Sequence, residues 1–195
     1  MPRVGVLALQ GDVREHSAVL TAAGAEVTRV RKPEDLDDLD GLVMPGGEST
    51  AIAHLLETSG LRKPLGEALD DGLAVLGTCA GLILLSDTVL DGRGDQWSFG
   101  ALDVAVRRNG YGRQIASFET EVDVKGIGHV HGVFIRAPRI ETWSADIEVL
   151  ATLDHGDGDH PVLVRQGAVL GCAFHPELAA ETRIHQLFLD SLPTR

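Results

Sequence analysis

Two short segments of this 195-residue chain carry side chains that could do covalent chemistry together. The first is Gly77-Thr78-Cys79-Ala80-Gly81, a thiol framed by glycines. It has the form Gly-x-nucleophile-x-Gly, with cysteine where the corresponding hydrolase motif has serine. It lies between an apolar run that reads as a buried strand (73–76) and one that reads as a helix (82–85), the setting that motif requires. A nucleophile on so sharp a turn sits in strained backbone, and flanking bulk would clash there. The helix N-terminus supplies unpaired N–H groups and a positive field. Together these favour the thiolate, which is the reactive form, and can hold a developing oxyanion. A buried inert thiol is the competing account of any lone cysteine; the glycine frame and the strand–turn–helix setting favour the nucleophile.

A thiol nucleophile needs a base, and the base needs an orienting group. Of the eight histidines, His16, His54 and His185 fall on predicted helices and read as surface or edge residues. His129 and His131 share one face of a predicted strand, and His155 and His160 lie in a Gly/Asp-rich turn. His175 differs: it follows the apolar stretch 169–174 and precedes Pro176-Glu177. Proline keeps the residue before it out of the α region, and an extended backbone places residues i and i+2 on one side. Glu177 is therefore expected beside His175, its carboxylate fixing the imidazole tautomer. Cys79, His175 and Glu177 are the candidate catalytic residues.

The elements that must position these groups alternate in type. Residues 4–9 form a short apolar run, as expected of a strand buried on both faces, and 26–30, 41–44 and 73–76 read as further short strands. Between them lie helical patterns at 13–23, stopped by Gly24, and at 64–71, ended by Gly72. A further helix follows Pro45-Gly46-Gly47, carries Ile52, Leu55 and Leu56, and can be capped by Ser49 or Thr50. This alternation implies a mostly parallel central sheet with helices on both faces. Beyond about residue 91 the texture becomes antiparallel, with strands expected at 102–106, 117–124, 130–135, 148–153, 161–165 and 168–174. A last helix is expected over 181–192, with Ile184, Leu187, Phe188 and Leu192 on one face. With no composition break, repeat or low-complexity tract, residues 1–195 read as a single α/β domain with an antiparallel elaboration in its second half.

Composition narrows the classes of partner. With 29 acids against 17 bases the net charge is −12, which argues against a nucleic-acid surface. No apolar run approaches the roughly 20 residues that cross a bilayer, and Met1-Pro2-Arg3 opens straight into a strand without signal-peptide architecture. Two cysteines are too few for a disulfide scaffold, so a reducing cytoplasm is expected. Arg93-Gly94-Asp95 reads as a turn, and the Asp/His cluster over 154–160 as a hairpin tip. His129 and His131 are too few for a zinc site. Cys172, in an apolar run, reads as inert core, and no metal is expected.

With both sites located, the chain resembles the class I triad glutamine amidotransferases. It is similar above all to the glutaminase subunit family of pyridoxal 5′-phosphate synthase, PdxT. The likeness runs through residues 5–11 with Arg14-Glu15-His16, Pro45-Gly46-Gly47-Glu48-Ser49-Thr50, the cysteine turn, Arg108-Asn109-Gly110-Tyr111-Gly112-Arg113-Gln114, Phe134-Ile135-Arg136-Ala137-Pro138 and Phe174-His175-Pro176-Glu177. The cysteine turn and His-Pro-Glu are common to many triad amidotransferases; the other segments narrow the match.

The resemblance implies a flavodoxin-like fold and fixes the roles. Cys79 is the nucleophile, His175 the acid–base partner and Glu177 its orienter. The N–H groups of Gly47 and Ala80 form the oxyanion hole. Gly47, Glu48, Ser49, Arg108, Ile135 and Arg136 hold L-glutamine. It further implies ammonia transfer to a PdxS-type synthase subunit in a twelve-plus-twelve complex, without a cofactor. The loops at 91–97 and 154–160 depart from the family pattern without touching a motif. Three rival functions remain open on the residues: a glutaminase serving another nitrogen acceptor, a thiol hydrolase or chaperone with a similar cysteine turn, and a non-catalytic subunit.

Overall fold

The structure is a computed structural model and describes residues 1–92, 94, 96–110, 117–154, 156, 158–179 and 181–193. Residues 111–114 of the Arg108–Gln114 segment, Arg93 and Asp95 of the tripeptide, and His155 and Asp157 of the acidic cluster lie outside the described residues. The chain runs β1 (Arg3–Leu7), α1 (Val13–Ala22), β2 (Glu26–Val30), β3 (Gly41–Met44), α2 (Ser49–Thr58), α3 (Arg62–Asp70), β4 (Ala74–Thr78) and α4 (Ala80–Leu85). It continues with β5 (Ser86–Val89), β6 (Leu102–Arg107), β7 (Ser117–Val124), β8 (Gly128–Ile135), β9 (Arg139–Trp143), β10 (Glu148–Asp154), β11 (Asp159–Gln166), β12 (Val169–Cys172) and α5 (Arg183–Asp190). Pro33–Leu36 and Pro176–Ala179 form short 3-10 turns.

The central sheet has the order β10-β11-β12-β4-β3-β1-β2. β2, β1, β3, β4 and β12 run parallel, while β11 and β10 turn antiparallel at one edge. Every residue of β3 and of β4 is buried, as strands covered on both faces require. Period-two geometry places the helices on opposite faces. Gly41 pairs with Ala74, and a Cβ on Gly41 would meet Phe188 and Leu192 at the end of α5. Gly77, three residues beyond Ala74, faces the other way, and a Cβ there would meet Leu85 and Gly81 of α4.

Two smaller sheets complete the fold. The β7–β8 hairpin is antiparallel and pairs from Ser117 with Ile135 to Val124 with Gly128. Stacked Phe118 and Phe134, with ring centroids 4.6 Å apart, and Phe134 against Phe174 at 5.4 Å tie this hairpin to the chain leaving β12. The other sheet, β5-β6-β9, is mixed rather than antiparallel, because β6 pairs parallel with β5 and antiparallel with β9.

Several expected boundaries move. The first strand stops at Leu7, so residues 8–12 form a loop. β4 runs to Thr78 and α4 starts at Ala80, which compresses the cysteine turn. Glu48, not Ser49 or Thr50, caps α2: its carboxylate accepts from the N–H groups of Thr50 and Ala51 at 3.2 and 2.7 Å. β5 and β9 have no counterpart among the expected strands. Among the described residues, no helix is long and apolar enough to cross a membrane.

In α5, Ile184 and Phe188 are fully buried and Leu187 only half-buried. Phe188→Ala should cost about 3–5 kcal/mol through lost transfer energy and a residual cavity. Leu187→Ala should cost clearly less. Urea unfolding midpoints of the two variants check this order.

Candidate active site

The carboxyl ends of β1, β3, β4 and β12 lie side by side, and the loop leaving each contributes to one pocket of about 580 Å³. Ligands of open parallel sheets bind in this region, outside the carboxyl ends of the strands. The pocket is lined by Gln10 and Asp12 after β1; Gly47, Glu48 and Ser49 after β3; Cys79 after β4; and His175 after β12. β6 delivers Arg108 to it, and β8 delivers Ile135 and Arg136.

The nucleophile turn is built by close backbone packing. The Cys79 N–H donates to the Cys172 carbonyl at 2.8 Å, which carries the β4–β12 pairing one residue beyond the strand. Cys79 itself has φ +47° and ψ −101°, a conformation that L residues rarely adopt. Such a residue stores about 1–3 kcal/mol of strain, held by its surroundings. The flanking glycines are steric necessities: a Cβ on Gly81 would lie 2.1 Å from the Met44 carbonyl oxygen, and one on Gly77 2.5 Å from Leu85 Cδ1. Ala80 begins α4, so its N–H has no partner within the helix.

His175 is fixed at its backbone by donation to the Val133 carbonyl of β8 at 2.8 Å. Its Nδ1 lies 2.8 Å from Glu177 Oε1. The pairing is the expected one, but its backbone cause is different. Pro176 to Ala179 forms a 3-10 turn rather than an extended segment, and the turn brings the carboxylate back onto the ring. Both side chains are buried. Burial alone would lower the histidine's pKa; interactions with Asp12, Cys79 and Glu177 outweigh it and push it up to about 12. Burial raises the Glu177 carboxyl above its usual range despite the histidine beside it.

The rest of the pocket is a polar network. The Glu48 N–H donates to Gln10 Oε1 at 2.8 Å, and a Cβ on Gly47 would lie 2.5 Å from that same oxygen. Partial burial disfavours the ionised Glu48, but the Ala51 and Thr50 N–H groups and Arg108 outweigh it and hold the carboxyl below its ordinary range. Arg108 reaches Glu48 Oε1 at 3.3 Å and Gln96 Oε1 at 3.0 Å, and Gln96 Nε2 donates to Ser49 Oγ at 3.2 Å. Arg136 has φ +44°, a second strained backbone at the pocket. Thus Cys79, His175, Gly47, Glu48, Ser49, Arg108, Ile135 and Arg136 are brought to one cavity, with Glu177 behind the ring and Ala80 beside the thiol. Gln10, Asp12, Ile83, Asn109 and Leu178 also line it and were not singled out from the sequence.

His16 and His185 are a larger departure. Expected at the surface or an edge, both are fully buried. His16 Nδ1 lies 2.9 Å from His185 Nε2, and its Nε2 lies 3.1 Å from Thr78 Oγ1 and 3.5 Å from Glu177 Oε1. The pair joins α1 and α5 to Thr78, the residue before Cys79, and to the Glu177 carboxylate. A signal was present: Val13, His16 and Leu20 fall on one helical face, as do His185 and Phe188. Burial drives both imidazoles neutral, His16 well below its usual value and His185 to about 4.

A mostly parallel α/β sheet with a thiol, an imidazole and a buried carboxylate at its carboxyl edge is the architecture of the class I glutamine amidotransferases. The comparisons make the assignment specific. The model of the SNO glutamine amidotransferase family matches residues 6–193, and the chain belongs to that family. A curated relative from Mycobacteroides abscessus, named pyridoxal 5′-phosphate synthase subunit PdxT, is 54% identical over 190 residues, covering 97% of this chain and 96% of the relative. One of the same name from Streptomyces avermitilis is 53% identical over 191 residues, covering 97% of this chain and 93% of the relative. A crystal structure of a glutamine amidotransferase superposes with a TM-score of 0.90 at 48% identity, covering 96% of this chain and 97% of that one.

The depressed His185 pKa makes stability depend on pH. Below about pH 6.5 the unfolded histidine binds a proton and the folded one does not until about pH 4. Stability should therefore fall on acidification through that window, by roughly 3 kcal/mol for this residue. Urea midpoints at pH 7.5 and pH 4.5 should show this loss, with a shallower dependence in His185→Gln.

Proposed function

We propose that the chain hydrolyses L-glutamine to L-glutamate and ammonia through a thioester on Cys79, and passes the ammonia to a synthase subunit that makes pyridoxal 5′-phosphate. The carrying observation is the convergence, in one pocket of small-molecule size, of the Cys79 thiol and the His175 imidazole with a wall that carries Arg108, Arg136 and Glu48. Glutamine bears an α-carboxylate and an α-ammonium, so it needs a cation and an acceptor. Arg108 and Arg136 meet the first need and Glu48 the second. Gly47, Ser49 and Ile135 supply close main-chain and side-chain contact.

In this mechanism the Cys79 thiolate attacks the side-chain amide carbon of glutamine. The resulting oxyanion is held by the N–H groups of Gly47 and Ala80, each such donor contributing about 3–4 kcal/mol to the transition state. The His175 imidazolium gives its proton to the departing nitrogen, and the C–N bond breaks to leave a γ-glutamyl thioester and ammonia. The neutral ring, held in place by Glu177, then takes a proton from water as it attacks the thioester, and glutamate leaves with the thiol restored. Each step is nucleophilic or acid–base and calls on no cofactor.

Ammonia released into water is protonated and lost as a nucleophile, so direct transfer to a partner fits the chemistry. The relatives' name, a subunit of pyridoxal 5′-phosphate synthase, supports a synthase partner, and the family resemblance supports a PdxS-type subunit, a twelve-plus-twelve assembly and a cytoplasmic setting. The proposal treats residues 1–195 as one amidotransferase domain and assigns no nucleic-acid or membrane partner.

Glutamate release from glutamine, measured on the chain alone and with purified synthase subunit, tests this. Addition of the synthase should raise the rate. Cys79→Ala should abolish it, and Glu177→Gln should lower it about 10³- to 10⁴-fold while leaving the thiol in place. Hydrolysis retained by Cys79→Ala would overturn the assignment.

A further inference from the structure

The imidazole of His175 meets two carboxylates at one nitrogen. Its Nδ1 lies 2.8 Å from Glu177 Oε1 and 3.3 Å from Asp12 Oδ2. The two arrive by different routes. Glu177 is wholly buried and comes from the residue after next. Asp12 comes from the loop after β1, lines the pocket and keeps 31% of its side chain exposed.

Local rules do not account for where Asp12 points. It stands at the N-cap of α1, where an aspartate ordinarily accepts from the N–H groups of the first turn. Here its side chain makes no capping bond. The neighbouring backbone is instead packed so as to press it toward the ring. The Asp12 N–H donates to the Gly46 carbonyl at 3.2 Å. A Cβ on Gly11 would sit 1.8 Å from that carbonyl oxygen, and a Cβ on Gly46 2.3 Å from His175 Cε1 and 3.0 Å from Asp12 Oδ2. Two glycines thus bring the loops after β1 and β3 close enough to place a carboxylate against an imidazole. A local rule broken at such a contact is what a functional site produces.

We propose that Asp12 is a second positioning residue for His175, its carboxylate set at ion-pair distance on the pocket side of the nitrogen that Glu177 hydrogen-bonds, where it favours the imidazolium over the neutral ring. The inference rests on the function proposed above, in which Cys79 and His175 are the reactive pair. The division of labour follows from burial. Burial raises the Glu177 carboxyl in its dry position, whereas Asp12 keeps water contact on the pocket side. Together they hold the ring's orientation by a buried contact and its proton by a half-solvated one.

The charged surroundings of the ring are few. Among the described residues, Glu177 hydrogen-bonds it, Asp12 lies at ion-pair distance, and Cys79 of the β4–α4 turn lines the same pocket. His16 of α1 stands behind Glu177 and is neutral. Glu48, Arg108 and Arg136 line the same pocket. Asp12 is thus the group whose charge can be removed from this set while the triad stays whole.

Asp12→Asn keeps the shape and an acceptor oxygen and removes the charge. The measurement is the ring titration of His175 in the ¹⁵N-labelled full chain, read by long-range ¹H–¹⁵N correlation and assigned by the signal lost in His175→Gln. Thermal melts confirm that each variant is folded. The wild-type ring should be doubly protonated at pH 7. In Asp12→Asn the loss of that proton should move down by about one pH unit or more, and Asp12→Glu should return it toward the wild-type value. Identical titrations of wild type and Asp12→Asn, with the ring doubly protonated at pH 7 in both, overturn the role of Asp12 alone. A wild-type ring neutral at pH 7 removes the ion pair beneath it and overturns the mechanism as well; the glutaminase assay separates that result from loss of the activity itself.

Discussion

Backbone pressed against backbone at the carboxyl edge of the sheet is the constraint on which the rest of this structure depends. Three loops meet there at distances that leave no room for a β-carbon. Gly81 packs its Cα against the Met44 carbonyl, Gly11 packs on Gly46, and Gly46 packs on the ring of His175. Each contact joins a different strand end, so Cys79, the imidazole and the Gly46–Ser49 loop are fixed relative to one another by main chain. Main chain is stiffer than side chain, and reacting atoms must be held to a fraction of an ångström. The same packing forces Cys79 to a positive φ, and the hydrogen bond from its N–H to Cys172 keeps it there. The strain is small beside the fully buried strands β3 and β4, from which these loops emerge.

Electrostatics forms a second layer on that frame. A chain of net charge −12 gathers Asp12, Glu48 and Glu177 around one pocket, which would repel one another without local compensation. Each carboxylate has its own. Glu177 and Asp12 both face His175 Nδ1, and Glu48 is held by two amide N–H groups and Arg108. The buried histidines behind the site stay neutral, so they add rigidity without adding charge where water cannot screen it. Protonating them is correspondingly costly, which couples the stability of the fold to the region that supports the site.

Much of this was legible in the sequence, and the parts that were not share physical reasons. The parallel core could be read because strands covered on both faces are unbroken apolar runs. β5 (Ser-Asp-Thr-Val) and β9 (Arg-Ile-Glu-Thr-Trp) escaped because they are short and carry mixed polarity in a side sheet. The cap of α2 was misassigned because serine and threonine are the usual caps, whereas a longer glutamate reaches the same N–H groups from one position earlier. His175 and Glu177 were paired correctly through an extended backbone that is in fact a 3-10 turn; spacing of two is compatible with both. The histidine pair was missed for a different reason. Residue type suggested a surface position, and the helical phase of Val13, His16 and Leu20 was not set against it. Asp12 was invisible because nothing in one dimension shows that the loop after β1 folds onto the loop after β3.

Under the proposed function the same pocket must receive a zwitterion, and its own charges are paired with one another beforehand. Arg108 is satisfied by Glu48, whose side chain is 53% exposed, and by the neutral Gln96. An ion pair that open to water contributes about 0–1 kcal/mol. Exchanging it for a bidentate bond to an incoming carboxylate therefore costs little and gains a stronger, charge-assisted contact. The exchange also frees a Glu48 oxygen from its arginine, while the amide N–H groups of Thr50 and Ala51 keep the carboxylate in place and ionised. One displacement thus turns an internally neutralised wall into a cation and an anion held at fixed separation. That is the pattern an α-amino acid requires, and it leaves the thiol, buried against the opposite loops, aligned by main chain that the ligand does not have to move.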